Sequence, residues 1–284
     1  MSYNIFAQPA HTNTNPAHPY AGGTPRSGHL QRVSSMIRGE QIAERLGANL
    51  NPATVQTDDV CIYVKPHVKD IDNFQFQGRA WLDIVDGWQL VPLARSHPDV
   101  GVIACSEADA ALLRENLPNR VVCIPQHHCN FERTERTRQG VKRVGVIGTE
   151  NAFAYLPMGL ERELAARGLE LECFSKFYSR QDIIDFYQRI DVQIVWRPYR
   201  KRLSNPLKLV NAAAFGVPTV ALDEECFQEL EGGYYPVKMS DEIVPTLETL
   251  SNIPPLFDAY SSHVFAKANA YHIDCVAEMY QELS

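Results

Sequence analysis

The segment RPYRKRLSNPLKLVNAAAFGVPTVAL runs from Arg197 to Leu222. Its first twelve residues hold five basic side chains, and no Asp or Glu occurs between Asp191 and Asp223. The rest is almost wholly apolar. Ser204 or Asn205 can cap a helix, Pro206 suits its first turn and Gly216 its end. The run VPTVALD that follows reads as a buried strand. The spacing therefore predicts a short, mostly apolar helix beside a sheet, with its N-terminus at the carboxyl edge of the strands. Free N–H groups and the helix dipole favour an anion at such an end. Lys208 falls in the first turn, Asn211 lies one turn further on the same face, and Arg197 ends the preceding strand. Together these predict a pocket for a phosphate or diphosphate, with Asn211 near enough to bond a hydroxyl. RPYRKR alone reads as a solvated basic loop. The full arrangement of strand end, cap, Pro, Lys and small-residue helix favours the anion site.

Working outward, short apolar runs alternate with helical patterns. YNIFAQ (3–8), DVCIYVK (59–65), AWLDIVD (80–86), VGVIACS (100–106) and RVVCIP (120–125) read as strands. HLQRVSSMIRGEQIAERLGA, QLVPLARS and EADAALLRENL read as helices, with Gly47 stopping the first. The charged, weakly apolar stretch from Phe131 to Arg143 reads as a linker. The alternation then restarts, with RVGVIG, LELECFS, DVQIVWR and VPTVALD as strands and LPMGLERELAARG, RQDIIDFYQRI and PLKLVNAAAFG as helices. Such alternation implies parallel strands joined by crossover helices. The fold class expected is α/β, with two Rossmann-like domains at 1–135 and 136–260 and closing helices at 261–284.

At 284 residues the chain is long enough for two domains. Its net charge of -7, from 27 Lys+Arg against 34 Asp+Glu, argues against a protein built to coat nucleic acid. No apolar run approaches the roughly 18 residues of a membrane span. The N-terminal residues lack the basic and apolar regions of a signal peptide. Seven cysteines, an odd number without a Cys-x-x-Cys pair, fit reduced thiols and a cytoplasmic location.

PLKLVNAAAFGVPTVA resembles the donor-site segment of two-domain, B-type (GT-B) nucleotide-sugar glycosyltransferases of the retaining group, which carry a Pro-x-Lys-Leu-x-Glu-Ala pattern. DVCIYVKPH, GVIACSEADAALL, VVCIPQHHCN, RVGVIGT and IIDFYQRIDVQIVWRP resemble that family's motifs in the same order, so the resemblance spans nearly the whole chain. It implies two domains facing across a cleft, with the last helix returning to the first. The implied reaction is metal-independent transfer of a sugar from a nucleoside diphosphate to a saccharide, lipid-linked or other hydroxyl acceptor. No cofactor is implied beyond the donor. It assigns the donor to Gly148 and Thr149 after the second domain's first strand, and to Arg197, Ser204, Asn205, Lys208, Leu209 and Asn211. Where the family often has two glutamates eight positions apart, this sequence has Leu203 and Asn211, so an amide replaces the carboxylate that grips the ribose. Two alternatives stand beside this reading. One is a non-catalytic nucleotide-sugar or polyanion binder on the same fold. The other is a phage-type nucleic-acid base glycosyltransferase, which the acidic balance speaks against and a local basic cleft would permit.

On the acceptor side, GGTPRSGHLQR (22–32) is a Gly-rich loop entering a helix. Gly23, Arg26 and Arg32 there, and Lys65 at a strand end, are candidates to hold phosphate or acceptor. His67 and Asp86 follow carboxyl ends of strands. Either can orient an acceptor hydroxyl or take its proton, and a structural role fits each equally well. Asp83, on the opposite strand face from Ile84, is the weaker rival to Asp86. QHHC (126–129) invites a metal reading, but no second ligand cluster accompanies it, so a role at the domain crossover is expected and no metal.

Overall fold

A computed structural model describes residues 2–10, 30, 32–136, 140–148, 150–199 and 201–284. The chain divides into two compact units. The first holds Met1–Gln126, Lys201–Asn205 and Ile273–Ser284, and the second His127–Arg200 and Pro206–His272.

The first unit opens with β1 (Tyr3–Ala7). A π-helix (Ser35–Gln41) follows and runs directly into α1 (Ile42–Leu46), which Gly47 ends at φ 63°. Then come β2 (Asn49–Leu50), β3 (Val60–Val64), β4 (Arg79–Asp83), α2 (Val91–Ser96), β5 (Gly101–Ala104), α3 (Glu107–Asn116) and β6 (Val121–Cys123). All pairings are parallel, in the order β2-β1-β3-β4-β5-β6. β3 is VCIYV with every residue buried, as a strand covered on both faces must be. Its neighbours Leu82, Val102 and Ala104 join it in a core closed by Leu93, Ala110 and Leu113.

The second unit holds β7 (Arg143–Ile147), α4 (Glu150–Phe153), α5 (Leu160–Ala165), β8 (Glu170–Phe174), α6 (Arg180–Arg189), β9 (Val192–Val195), α7 (Leu207–Ala213), β10 (Thr219–Leu222), β11 (Tyr235–Val237), α8 (Ile243–Asn252) and α9 (Pro254–Ala268). Its parallel sheet has the order β11-β10-β9-β7-β8. Ser179 caps α6 reciprocally with Asp182. Val144, Val192, Ile194 and Val220 pack beneath Leu247 and Phe257.

α10 (Ile273–Gln281) belongs to the first unit. Trp81 Nε1 donates to Leu283 O at 3.2 Å, Tyr3 OH donates to Gln281 O at 2.8 Å, and Arg45 pairs with Asp274. α9 belongs to the second unit, so the change of unit falls between Asn269–Tyr271 and α10 rather than at residue 261.

The stretch read as a linker is well anchored where it is described. The side chain of Arg136 is buried and donates to Asp191 Oδ1 at 2.7 Å, and Asp191 also accepts the backbone N–H groups of Lys142 and Arg143. The guanidinium of Arg180 stacks on Phe131 at 4.3 Å and forms two hydrogen bonds with Glu132. Charge composition misled here because the partners are far away in sequence. β2, β11 and α8 were not foreseen either. The first two are very short, and α8 starts without a side-chain cap.

Each sheet reverses its strand order once. In the first the chain leaves β1 toward β2 and then crosses to β3. In the second it leaves β7 toward β8 and then crosses to β9. In open parallel sheets, ligands bind outside the carboxyl ends of strands at such a reversal.

Candidate functional site

In the second unit the reversal lies between β7 and β9. Gly148 is the first residue beyond β7, and a Cβ built on it would come within 3.2 Å of Lys208 Nζ. The ammonium of Lys208 therefore lies against the end of β7, and a larger residue at Gly148 would displace it. The main chain of Lys208 is fixed from below. Gln193 Nε2 donates to Lys208 O at 3.1 Å and to Thr219 Oγ1 at 3.1 Å, and Tyr187 OH donates to Gln193 Oε1 at 2.8 Å. Gln193 and Tyr187 are both fully buried. Beyond β9, Arg197 pairs with Glu224, and its guanidinium lies 5.6 Å from the ring centroid of Tyr199.

Several expected donor residues are placed otherwise. α7 begins at Leu207 with Pro206 at the capping position, where a proline ring offers no oxygen to the first N–H groups. The main chain of Ser204 is held in the first unit, its N–H by the Asp109 carboxylate at 3.0 and 3.2 Å and its carbonyl by Ser106 Oγ at 3.4 Å. Ser204 and Asn205 belong to the first unit, whereas Lys208 belongs to the second. α7 is only seven residues long, and Lys208 in its first turn brings the full charge at this end. Leu209 is 1% exposed and packs in the core with Val195 and Phe227. Asn211 is buried, and its Oδ1 accepts the N–H of Cys129 at 2.8 Å. Thr149 lies outside the described residues.

In the first unit a cavity of about 340 Å³ opens at the β1/β3 reversal. It gathers Gln8 after β1, Lys65 and His67 after β3, Asp86 and Gln89 after β4, and Arg32 before the π-helix. Four residues singled out in the sequence thus meet at one place. Gly23 and Arg26 lie outside the described residues. Asp86 is bound by two ammonium groups, with Lys65 Nζ at 2.5 Å from Oδ1 and Lys201 Nζ at 3.3 Å from Oδ2. Burial pushes this carboxyl up, and the two lysines more than reverse it, holding it below its ordinary value. Lys65 has φ 40° and Val85, just before Asp86, has φ 58°. For a β-branched residue this is a strained conformation, and such strain clusters at functional sites.

A polar cluster around the π-helix is sealed from water, and no pattern in the sequence pointed to it. Arg38, on the π-helix, donates from Nε to Asp83 Oδ2 at 2.5 Å and from Nη1 to the carbonyls of Ile124 and Pro125 at 2.9 and 3.0 Å. Tyr280 OH, on α10, donates to Asp83 Oδ2 at 3.3 Å. Burial raises the Asp83 carboxyl against the pull of Arg38. Asp83 is therefore a structural residue, closed off from any acceptor. A π-bulge in a helix is often found next to a functional site, and here the π-helix carries Ser35 of the cavity lining and Arg38 of this cluster.

His128 is buried in the second unit, its Nδ1 accepting from Asn130 N at 3.2 Å and its ring 5.4 Å from that of His272. Burial, then the neighbouring His272, His127 and Arg133, lower its pKa to about 3. Among the described residues no three His, Cys, Asp or Glu side chains are grouped to hold a metal ion, and no helix is long and apolar enough to cross a membrane.

No protein-family model matches the sequence, and no curated protein matches it closely enough to be a relative. Solved structures do match it. A mutant of S. aureus TarM, in complex with fondaparinux, α-GlcNAc-glycerol and UDP, superposes with TM-score 0.58 at 12% identity, over 80% of this chain and 55% of that one. The pneumococcal O-GlcNAc transferase GtfA, in complex with UDP and GlcNAc, gives 0.53 at 12% identity, over 88% of this chain and 59% of that one. The DNA-modifying enzyme β-glucosyltransferase, solved with and without uridine diphosphoglucose, gives 0.54 at 13% identity, over 100% of this chain and 99% of that one. The chain thus spans somewhat more than half the length of the first two. At these identities the likeness establishes the fold, an α/β arrangement of two parallel sheets found in glycosyltransferases.

Proposed function

We propose that this chain transfers a sugar from a nucleoside-diphosphate sugar to an acceptor hydroxyl. The observation that carries the reading is the Lys208 ammonium held against Gly148 at the β7/β9 reversal. A diphosphate placed there meets a cation whose main chain is clamped by Gln193 and Tyr187, so little reorganisation is needed as negative charge builds on the leaving group. The Arg197–Glu224 pair borders the same reversal, and a phosphate can compete with Glu224 for the guanidinium.

The first unit supplies the acceptor side in this reading. The lowered carboxyl of Asp86 is a poor proton acceptor and suits orienting a hydroxyl. The exposed His67 beside it is the better candidate to take the proton. A fixed lysine with pairing arginine provides the counter-charge in place of a divalent cation.

A second reading, transfer to a base in nucleic acid, is favoured by the end-to-end match to the DNA-modifying β-glucosyltransferase. One assay addresses both readings. Purified protein is incubated with uridine, guanosine, thymidine and adenosine diphosphate sugars, with and without duplex DNA, and diphosphate release is followed. Release from one donor that Lys208→Ala strongly reduces is the expected result, and DNA-dependent release favours the second reading. No release from any donor, together with no diphosphate binding, removes both.

A further inference from the structure

The cavity at the β1/β3 reversal has a chemistry that narrows what it takes. Among the described residues lining it, only Val33 and Pro66 are apolar, and none is Phe, Tyr or Trp. An extruded nucleobase is held between aromatic or extended apolar faces, and the described wall offers no aromatic ring. A lipid tail would find no apolar surface of useful size. Glutamine amides at Gln8 and Gln89, hydroxyls at Ser34 and Ser35, and the His67 ring instead present donors and acceptors suited to a polyhydroxyl group. About 340 Å³ lies in the range of small-ligand sites.

The charges are also unbalanced. Asp86 is the only acidic residue among the described residues of the lining, and it is shared by Lys65 and Lys201. Two ammonium groups on one carboxylate leave one positive charge over. Arg32 adds another, and its Nη1 donates to the uncharged carbonyl of Pro9 at 3.2 Å. A bound anion would complete this balance.

We propose that this cavity binds a sugar bearing an acidic group, a phosphate or a carboxylate, and that the acceptor is of this class. The acceptor assignment rests on the transferase reading; the cavity's ligand chemistry does not. Its acid lies toward Arg32 and the Lys65–Lys201 pair, and its hydroxyls toward His67 and the glutamines.

Calorimetry with glucose 6-phosphate, glucuronate and uncharged glucose tests this. At least one charged sugar should bind about tenfold more tightly than glucose, and which one identifies the acid. Arg32→Gln, on an exposed side chain, and Lys65→Gln should each weaken that binding severalfold and leave uridine diphosphate affinity unchanged. Lys208→Ala should do the reverse. Equal affinity for glucose and both acids, no binding of either acid, or loss of acid binding only in Lys208→Ala would overturn the proposal. If the protein binds and cleaves no nucleotide sugar yet binds a sugar acid through Arg32, the transferase reading fails and the cavity assignment stands.

Discussion

Arg38 and Asp83 form an ion pair with side chains 1% and 0% exposed, one on a π-helix and the other at the last residue of β4. A buried pair of this kind adds little beyond an apolar pair of equal volume, yet removing one partner strands the other. Arg38→Met should therefore destabilise the protein by about 3–5 kcal/mol in urea unfolding. Arg38→Met with Asp83→Leu should recover much of that loss. A double variant no more stable than the single one would mean that the pair is not the source of the effect.

Lys208→Ala should weaken nucleoside diphosphate binding by roughly 1.5–3 kcal/mol, the scale of one hydrogen bond to a charged group. The side chain is only partly buried, so the fold should survive. A folded variant with unchanged affinity would remove the site at the β7/β9 reversal.

Asp86→Asn keeps volume and removes the charge that Lys65 and Lys201 share. Turnover should fall, and nucleoside diphosphate affinity should stay within about twofold, because Lys208 and Arg197, to which the phosphates are assigned, belong to the second unit. The two quantities come from product formation and calorimetry. Abolished donor binding in a folded variant would contradict this division of labour.

Activity should persist in excess chelator, since Lys208 and Arg197 are assigned the work that a carboxylate-bound cation does elsewhere. Complete loss restored by magnesium would transfer that work to a metal.

His128 gives a pH signature. Its value in the unfolded chain is near 6.5 and in the folded protein about 3, so the unfolded state binds more protons between them. The stability it contributes is fully present above about pH 6.5. It is lost as pH falls below that value, at roughly 1 kcal/mol per pH unit. His128→Asn should flatten this slope in unfolding measured between pH 4 and 7, and an unchanged slope would assign it to other groups.

Most strands and the main helices were legible because alternating apolar runs with Gly and Pro punctuation reflect local physics. β3 and α3 lie where their patterns put them. The sites were only partly legible. Lys65, His67 and Asp86 could be found because each follows a strand end, and Lys208 because it opens a helix. What the sequence hid was pairing at long range. Arg197 looked unopposed until Glu224 was placed beside it, and Asn211 looked available until Cys129 took its oxygen. Arg38, Asp83 and Tyr280 lie up to 242 positions apart, and no pattern in the sequence links them.

The way the chain is divided bears on how it is made. The first unit takes its last piece from Ile273–Ser284, after all of the second unit has been specified. A ribosome thus releases β1 to β6 long before Tyr280 can reach Asp83 or Leu283 can cover Trp81. During that interval the buried carboxylate lacks one partner and an indole N–H has no acceptor there. The unit begun first is the one completed last, and the nascent N-terminal half is where chaperone binding should concentrate.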